Sequence, residues 1–140
     1  GVIRKNLDAL QNLLTEVSTP GHPNYGKFRT KEQLTELTKN QEAHDQVMSV
    51  LQNLPDVFIE GESSDGAYIH VNGPVRVWEE LFHTEFYVFR AEHVENEFIR
   101  CKTIHVPDSL RGLLSIVLKT TDLPTPPHRG PTLMRGKGIQ

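Results

Sequence analysis

The sequence predicts an α+β domain in which helices cover one face of an antiparallel sheet. In the first half of the chain, apolar residues recur at helical spacing, and after Asp56 the period changes to the alternation of strands. Read from the first residue, the order strand, helix, hairpin, helix, strand is that of a ferredoxin-like α+β sandwich. The first crossover carries extra helices, and a further strand and helix follow.

Composition limits the possible classes of protein. A chain of 140 residues, 36% apolar and 24% charged, is typical of one globular domain with a hydrophobic core. The net charge of −3 argues against nucleic-acid binding driven by phosphate neutralisation. No apolar run approaches the roughly 18 to 20 residues that span a bilayer, and no amino-terminal signal-peptide pattern is present. A single cysteine, Cys101, excludes an internal disulfide, and we expect it to be buried in a strand.

The first half is predicted to contain a short strand and three helices. The strand is residues 2–5, and because the chain begins there we expect that preceding residues have been removed. Asn6 can cap the first helix, Thr30 and Gln33 can form a capping box on the second, and Asn40 can cap the third. The predicted core positions are Leu7, Leu10, Leu13, Leu14 and Val17, then Leu34 and Leu37, then Ala43, Val47, Val50, Leu51 and Leu54.

The second half is predicted to contain two strand pairs and two helices. Strands at 57–62 and 67–72 flank the hairpin signal Asp65-Gly66, and strands at 85–90 and 97–104 flank a polar, exposed segment at 91–96. The inward positions are Ala67, Ile69 and Val71, opposite Tyr68, His70 and Asn72. A helix starting at Pro74 buries Val75, Trp78, Leu81 and Phe82, and one starting at Pro107 buries Leu110, Leu113, Leu114, Val117 and Leu118.

One face of the predicted sheet is left available for a partner. The helices cover the other face, and residues 86–89 are apolar on both sides of their strand. Apolar sheet surface on a globular domain usually marks an interaction site. The sequence pattern alone therefore favours a binding domain.

The loop at residues 18–33 has the most unusual composition of the chain. Pro20 and Pro23 prevent a helix from running through it, and its two glycines permit backbone angles closed to other residues. Tyr25 and Phe28 are unusual in a flexible linker, which tends to be polar. We therefore expect this loop to fold back and pack.

The same loop resembles the signature of the activation prodomain of the sedolisin, or serine-carboxyl, peptidases, a group that includes kumamolisin and the lysosomal tripeptidyl peptidase. Residues 6–10 and 104–110 resemble the family's first helix and the opening of its last helix, so the resemblance covers about residues 1–124. Arg29 departs from the family, which usually has Leu there. The matching residues are Ser18, Pro20, Pro23, Asn24, Tyr25, Gly26, Lys27, Phe28, Thr30 and Glu32.

The resemblance implies a subtilisin-prodomain-like fold and a role in a zymogen. It implies a prodomain at 1–123 and a Pro-rich linker at 124–140 toward a following catalytic domain, which would be the partner. Such a prodomain acts as intramolecular chaperone and inhibitor until proteolytic removal in acid, in a secreted or lysosomal setting. The composition of 124–131 independently predicts extended chain, either a flexible terminus or a linker. Candidate processing residues in this segment are Arg129, Arg135 and Lys137.

Motifs for catalysis are not found. The family's machinery resembles that of subtilisin with Glu in place of His, beside an Asp and a Ser in a Gly-Thr-Ser motif, and this chain has no such motif. It also has no Gly-x-Ser-x-Gly elbow and no phosphate-binding Gly-rich loop. We expect a non-catalytic chain with no cofactor and with no nucleic-acid or membrane partner.

The seven histidines allow two interpretations. No two stand three or four residues apart, so helical metal-ligand spacing is absent and no metal site is expected. They are either ordinary surface or half-buried residues or sensors of acid, since protonating all seven would change the net charge from −3 to +4. A histidine held neutral in the fold destabilises it below about pH 6.5. The candidate sensors are His70, His83 and His105.

Two other functions share the predicted fold. A ferredoxin-like module for RNA or protein is one, but residues 84–90 lack the Gly-aromatic pattern of RNA-recognition strands and the chain is acidic. A small acylphosphatase-type enzyme is the other, and it needs an Arg in an anion-binding loop that the sequence does not show.

Overall fold

The computed structural model describes residues 1–90 and 97–122, and it confirms the α+β class. The predicted exposure of 91–96 and the predicted linker at 124–140 lie outside the described residues. No helix in the described ranges is long and apolar enough to cross a membrane. The helices are α1 (Leu7–Ser18), α2 (Lys31–Thr38), α3 (Gln41–Gln52) and α4 (Val75–Phe82), and the strands are β1 (Phe58–Glu62), β2 (Ile69–Asn72), β3 (Phe86–Arg90) and β4 (Glu97–Cys101).

Two of the three predicted helix caps are present. The Thr30 hydroxyl accepts from the Gln33 N–H at 3.3 Å and the Gln33 side chain accepts from the Thr30 N–H at 3.1 Å, which confirms the capping box. Asn40 caps α3 through its side-chain oxygen. The cap predicted at Asn6 is wrong, because its side-chain amide instead donates to the Leu37 carbonyl at 2.9 Å. This bond ties the start of α1 to the end of α2.

The strands pair as two antiparallel hairpins. β1 pairs with β2 through a register shift between Ile59 and Gly61, and β3 pairs with β4 in regular register. In the part of the chain that the structure describes, the hairpins are two separate two-stranded sheets, where a single sheet was expected. The segment predicted as the first strand forms only one bridge, Val2 to Leu114, so it does not join the hairpins into one sheet.

The first hairpin agrees with its predicted turn and faces. The Gly66 N–H donates to the Ser63 carbonyl at 2.8 Å, and the φ of +64° at Gly66 is one that favours glycine. Ala67 is buried and Ile69 and Val71 are half-buried, whereas the alternate residues Tyr68, His70 and Asn72 are exposed. The alternation predicted for this strand is therefore confirmed.

The final helix predicted from Pro107 is wrong. Leu110 and Leu113 each donate to the carbonyl three residues earlier, and residues 108–113 form successive turns. Gly112 has φ +76°, an angle that a right-handed helix does not contain. These turns still supply the core, because Leu110 is the most deeply buried large side chain in the described ranges.

The hydrophobic core lies between α3 and the turns at 108–113. Val47 and Leu51 of α3 pack with Leu110. In α4 the buried residues are Val77 and Phe82, whereas Val75, predicted to be buried, is exposed. In α1 only Val17 is fully buried, and Leu7 and Leu14, also predicted to be core, are exposed. Half-buried side chains complete the core: Val50, Leu54, Ile69, Val71, Trp78, Leu81, Val106, Leu113 and Leu114.

Candidate interaction surface

The loop between α1 and α2, residues 19–30 and here called the motif loop, is folded by its own hydrogen bonds. The Gly26 N–H donates to the Val17 carbonyl at 2.9 Å, which brings the chain back to the end of α1. The Asn24 side-chain amide donates to the Glu16 carboxylate at 2.9 Å and ties the loop to the same helix. The prediction that this loop folds back is therefore confirmed.

Two glycines allow the loop to turn. Gly21 has φ +89° and Gly26 has φ +73°, in the region that residues with a Cβ rarely adopt. A Cβ built at either position would meet no atom within 4 Å. Glycine is therefore favoured at both positions by backbone conformation and not by lack of space.

The expectation that the loop's aromatic residues pack is wrong. Tyr25 is 54% exposed and Phe28 is 77% exposed. The loop is held by main-chain and polar hydrogen bonds, so its shape does not require burial of these rings. The structure thus presents two aromatic side chains to solvent on an ordered loop.

The remaining signature residues surround these rings or end the adjoining helices. The Ser18 hydroxyl donates to the Leu14 carbonyl at 2.7 Å in the last turn of α1. In the first turn of α2, the Glu32 backbone N–H and then the Thr30 hydroxyl lower the pKa of the Glu32 carboxyl. Asn24 is half-buried, and the exposed members are Ser18, Pro20, Pro23, Lys27, Thr30 and Glu32.

A groove of about 510 Å³ lies between α1 and α2 beside the motif loop. Leu13 and Leu37 contribute its apolar lining, and Glu16 contributes a carboxylate. Arg29 also lines it. The departure from the family's usual Leu therefore places a cation at the edge of this groove.

The second hairpin exposes apolar side chains. Val88 and Ile99 stand directly opposite each other on β3 and β4 and are 57% and 47% exposed. Tyr87, on the other face, is also exposed, and the Lys102 ammonium lies 5.5 Å from the centre of its ring. In the first hairpin Phe58 is exposed. Exposed apolar residues therefore lie on both hairpins.

Comparison with known proteins decides the family. The Pro-kumamolisin activation domain matches residues 1–123 of this chain. The chain belongs to that family. The activation domain is the non-catalytic propeptide of sedolisin-type peptidases, so this chain is a peptidase propeptide.

Curated relatives agree with this family. The chain is 30% identical to "Tripeptidyl-peptidase SED2" of Arthroderma otae over 119 residues, which is 84% of this chain and 20% of that protein. It is 26% identical to "Tripeptidyl-peptidase SED3" of the same organism over 141 residues, 99% of this chain and 24% of that protein. It is 32% identical to "Physarolisin" of Physarum polycephalum over 88 residues, 62% of this chain and 15% of that protein. No solved structure matches.

The chain spans about a fifth to a quarter of the length of these two tripeptidyl-peptidases. The candidate processing residues of this propeptide, Arg129, Arg135 and Lys137, lie outside the described residues. So does the boundary predicted at residue 123.

The histidines proposed as acid sensors are exposed in the propeptide. His70 lies on the outer side of β2, and His83 ends α4 with φ +44°. The His105 backbone N–H donates to the Phe82 carbonyl at 2.9 Å, but its side chain is exposed. None of the three is buried.

Among the described residues, the buried histidine is His44, which was not among the predicted sensors. It is 7% exposed, and its Nε2 lies 2.8 Å from Glu62 Oε2 while its Nδ1 lies 3.4 Å from Asp45 Oδ1. The sequence does hold a signal for its burial, since His44 precedes Val47 and Leu51 at the spacing of one helix face. Its partner Glu62 is 18 residues away and could not be found from that spacing.

In the described parts of the propeptide, the side chains that could bind a metal ion are not placed to form a metal site. Within residues 1–90 and 97–122, no group of three or more His, Cys, Asp or Glu side chains is placed to hold a metal ion. The thiol of Cys101 is buried in β4, as predicted, and lies 3.4 Å from the Thr120 carbonyl.

Proposed function

We propose that this propeptide acts as the intramolecular chaperone and inhibitor of a sedolisin-type peptidase domain, and that proteolysis in acid removes it. The observation that carries the proposal is the match of the activation domain across residues 1–123. A propeptide that binds only the folded peptidase stabilises that fold by mass action, and the same contact blocks the enzyme. The propeptide would be secreted or located in lysosomes.

The exposed part of the second hairpin at Val88 and Ile99 is the proposed contact with the peptidase domain. Val88 and Ile99 form an exposed apolar pair there. Interface cores are formed by such side chains once a partner excludes water from them. We expect a complementary apolar surface on the peptidase domain.

The Pro-rich segment at 124–140 is the proposed occupant of the substrate cleft. The support is its sequence, because prolines at 124, 126, 127 and 131 favour extended chain and extended peptides fit peptidase clefts. Cleavage near Arg129, Arg135 or Lys137 would separate the two domains. We infer that hairpin and segment bind the same peptidase at different places.

A different binding module is the second candidate function. The exposed hairpin surfaces would also suit a protein partner unrelated to peptidases, or RNA stacked on Tyr87. The net charge of −3 disfavours the RNA alternative. Inhibition of the peptidase encoded with this chain would favour the proposed function over a binding module for RNA or for an unrelated protein.

The test uses the 140-residue chain and the catalytic domain of the same precursor. We expect the chain to inhibit that domain and to increase the yield of active enzyme when the unfolded domain is refolded with it. The variant Val88→Ser with Ile99→Ser should weaken inhibition at least about tenfold, because two apolar anchors are lost. Leu118→Ser is the matched control, since Leu118 is exposed to a similar extent and lies outside both hairpins. If both variants weakened inhibition equally, the proposed contact between the second hairpin and the peptidase domain would be wrong.

A further inference from the structure

We propose that the motif loop is a second contact for the peptidase domain, and that it recognises a surface where carboxylates surround an apolar pocket. This inference rests on the proposed function, and it concerns an element separate from the second hairpin. The motif loop joins α1 to α2, whereas the hairpin follows α4. The loop's hydrogen bonds, aromatic rings and charge each support the inference.

The loop is ordered before any partner binds. Hydrogen bonds from Gly26 to Val17 and from Asn24 to Glu16 fix the middle of the loop to α1. A third bond, from the Tyr25 N–H to the His22 carbonyl at 2.9 Å, fixes the turn that carries the first ring. Because the loop is already ordered in the free chain, binding does not have to offset the entropy cost of ordering it. The affinity for a partner is therefore higher.

The rings of Tyr25 and Phe28 are not used by the fold. Both are more than half exposed, and Phe28 has the largest exposed fraction of the large hydrophobic residues in the described ranges. Exposed aromatic side chains on a rigid segment are typical anchors of protein interfaces, because they bury a large area with few rotatable bonds. Their exposure is therefore explained by a partner with an apolar pocket.

The charge of the loop indicates the chemistry of that partner. Lys27 and Arg29 flank Phe28, and no Asp or Glu occurs between Glu16 and Glu32, although the whole chain carries −3. Within the described ranges, no carboxylate oxygen lies within 4.0 Å of the side-chain nitrogens of Lys27 or Arg29. Charge complementarity with these two cations favours a partner that has carboxylates beside its apolar pocket. A second copy of the chain would bring the same cations together.

The experiment compares two single variants of the loop with two matched controls. Phe28→Ala removes the more exposed ring, and Lys27→Glu reverses one charge. The controls Leu7→Ala and Lys5→Glu make the same kinds of change at exposed residues near the start of α1, about 18 Å of helix away from the loop. Inhibition of the peptidase domain is measured with the 140-residue chain at about 50 and about 300 mM salt, across which exposed ion pairs are screened.

We expect Phe28→Ala to raise the inhibition constant about thirtyfold at both salt concentrations. We expect Lys27→Glu to raise it about tenfold at low salt, with a smaller salt dependence than the wild-type chain. The controls should change it less than about threefold. Thermal unfolding of each variant, followed by circular dichroism, should match the wild type because the side chains are exposed.

Three outcomes would overturn the inference. Unchanged inhibition by both loop variants, with a wild-type chain that inhibits, would overturn the loop contact and leave the proposed function standing. Self-association of the free chain that Phe28→Ala abolishes would assign the ring to a second copy. A wild-type chain that does not inhibit would overturn the proposed function, and the loop contact with it.

Discussion

His44 Nε2 lies 2.8 Å from Glu62 Oε2, and this contact between a buried ring and an exposed carboxylate joins α3 to the end of β1. The other ring nitrogen lies 3.4 Å from Asp45 Oδ1, and Asp45 in turn accepts from the Gln41 amide. Because both ring nitrogens face carboxylate oxygens, a protonated ring can donate at both, whereas a neutral ring can donate at only one. His44 therefore contacts two carboxylates, whereas the predicted sensors His70, His83 and His105 are exposed.

The first prediction concerns the contribution of His44 to stability. His44→Ala should lower the free energy of unfolding by on the order of 2 kcal/mol, since it removes a buried ring and its hydrogen bond. The exposed His70→Ala should change it by less than about 0.5 kcal/mol. Urea unfolding at neutral pH measures both. Equal effects of the two substitutions would contradict the role given to the His44–Glu62 contact.

The second prediction concerns stability in acid. The Ser63 hydroxyl, the Ala67 N–H and the Arg4 guanidinium lower the pKa of Asp65 from 3.8 to about 2. A carboxyl whose pKa is lowered by folding stabilises the fold above its unfolded pKa, and the contribution is lost as pH falls toward the folded pKa. Loss of stability from this group should therefore occur between about pH 4 and about pH 2.

Asp65→Asn tests that pH range. The variant should be less stable than the wild type near pH 6, by on the order of 1 kcal/mol, because it lacks the charge-assisted bonds. The difference should shrink as pH falls from about 4 to about 2. Unfolding in urea at several pH values measures it. A difference that stays constant down to pH 2 would show that Asp65 acts through packing and not through its charge.

The third prediction concerns the backbone of the motif loop. Gly26→Ala should destabilise the propeptide by about 1 kcal/mol because φ is +73°. Gly26→Asn should have a smaller effect, since Asn tolerates that region better. Gly61→Ala is the control, because neither a positive φ nor a contact within 4 Å opposes a Cβ there. Urea unfolding compares them, and equal destabilisation by all three would contradict the assignment.

The fourth prediction concerns the segment at 124–140. Its deletion should weaken inhibition of the peptidase domain and leave the thermal unfolding of the remaining chain unchanged, because the proposed role of the segment is to fill the cleft. Calorimetry and inhibition assays on the same sample measure both. Equal loss of stability and inhibition would show that the segment is part of the fold.

Local signals account for the parts of the fold that the sequence predicted well. The Thr30–Gln33 capping box and the Asp65-Gly66 turn each lie within four residues, and both form as predicted. Which side chains of α1 are exposed, and whether the two hairpins join in one sheet, depends on contacts between distant segments. The periodicity of apolar residues within one segment does not reveal such contacts. The turns at 108–113 were mistaken for a helix because the leucines at 110, 113 and 114 keep helical spacing although Gly112 interrupts it.

The candidate surface was predictable in part for the same reason. The composition of the motif loop marked it as ordered, and its hydrogen bonds to α1 are local. The outward position of Phe28 was not predictable, because aromatic residues are more often buried and nothing nearby in the sequence excludes packing. The His44–Glu62 pair required the approach of α3 to β1, which only the structure provides.

The decisive experiment measures inhibition of the precursor's own peptidase domain by the 140-residue chain, from about pH 3 to about pH 7. The range covers the titration of both carboxylates and histidines. We expect tight inhibition near neutral pH that is lost in acid. Inhibition of equal strength across the range would support the inhibitor role but contradict release by acid. The absence of inhibition at every pH would contradict the inhibitor role.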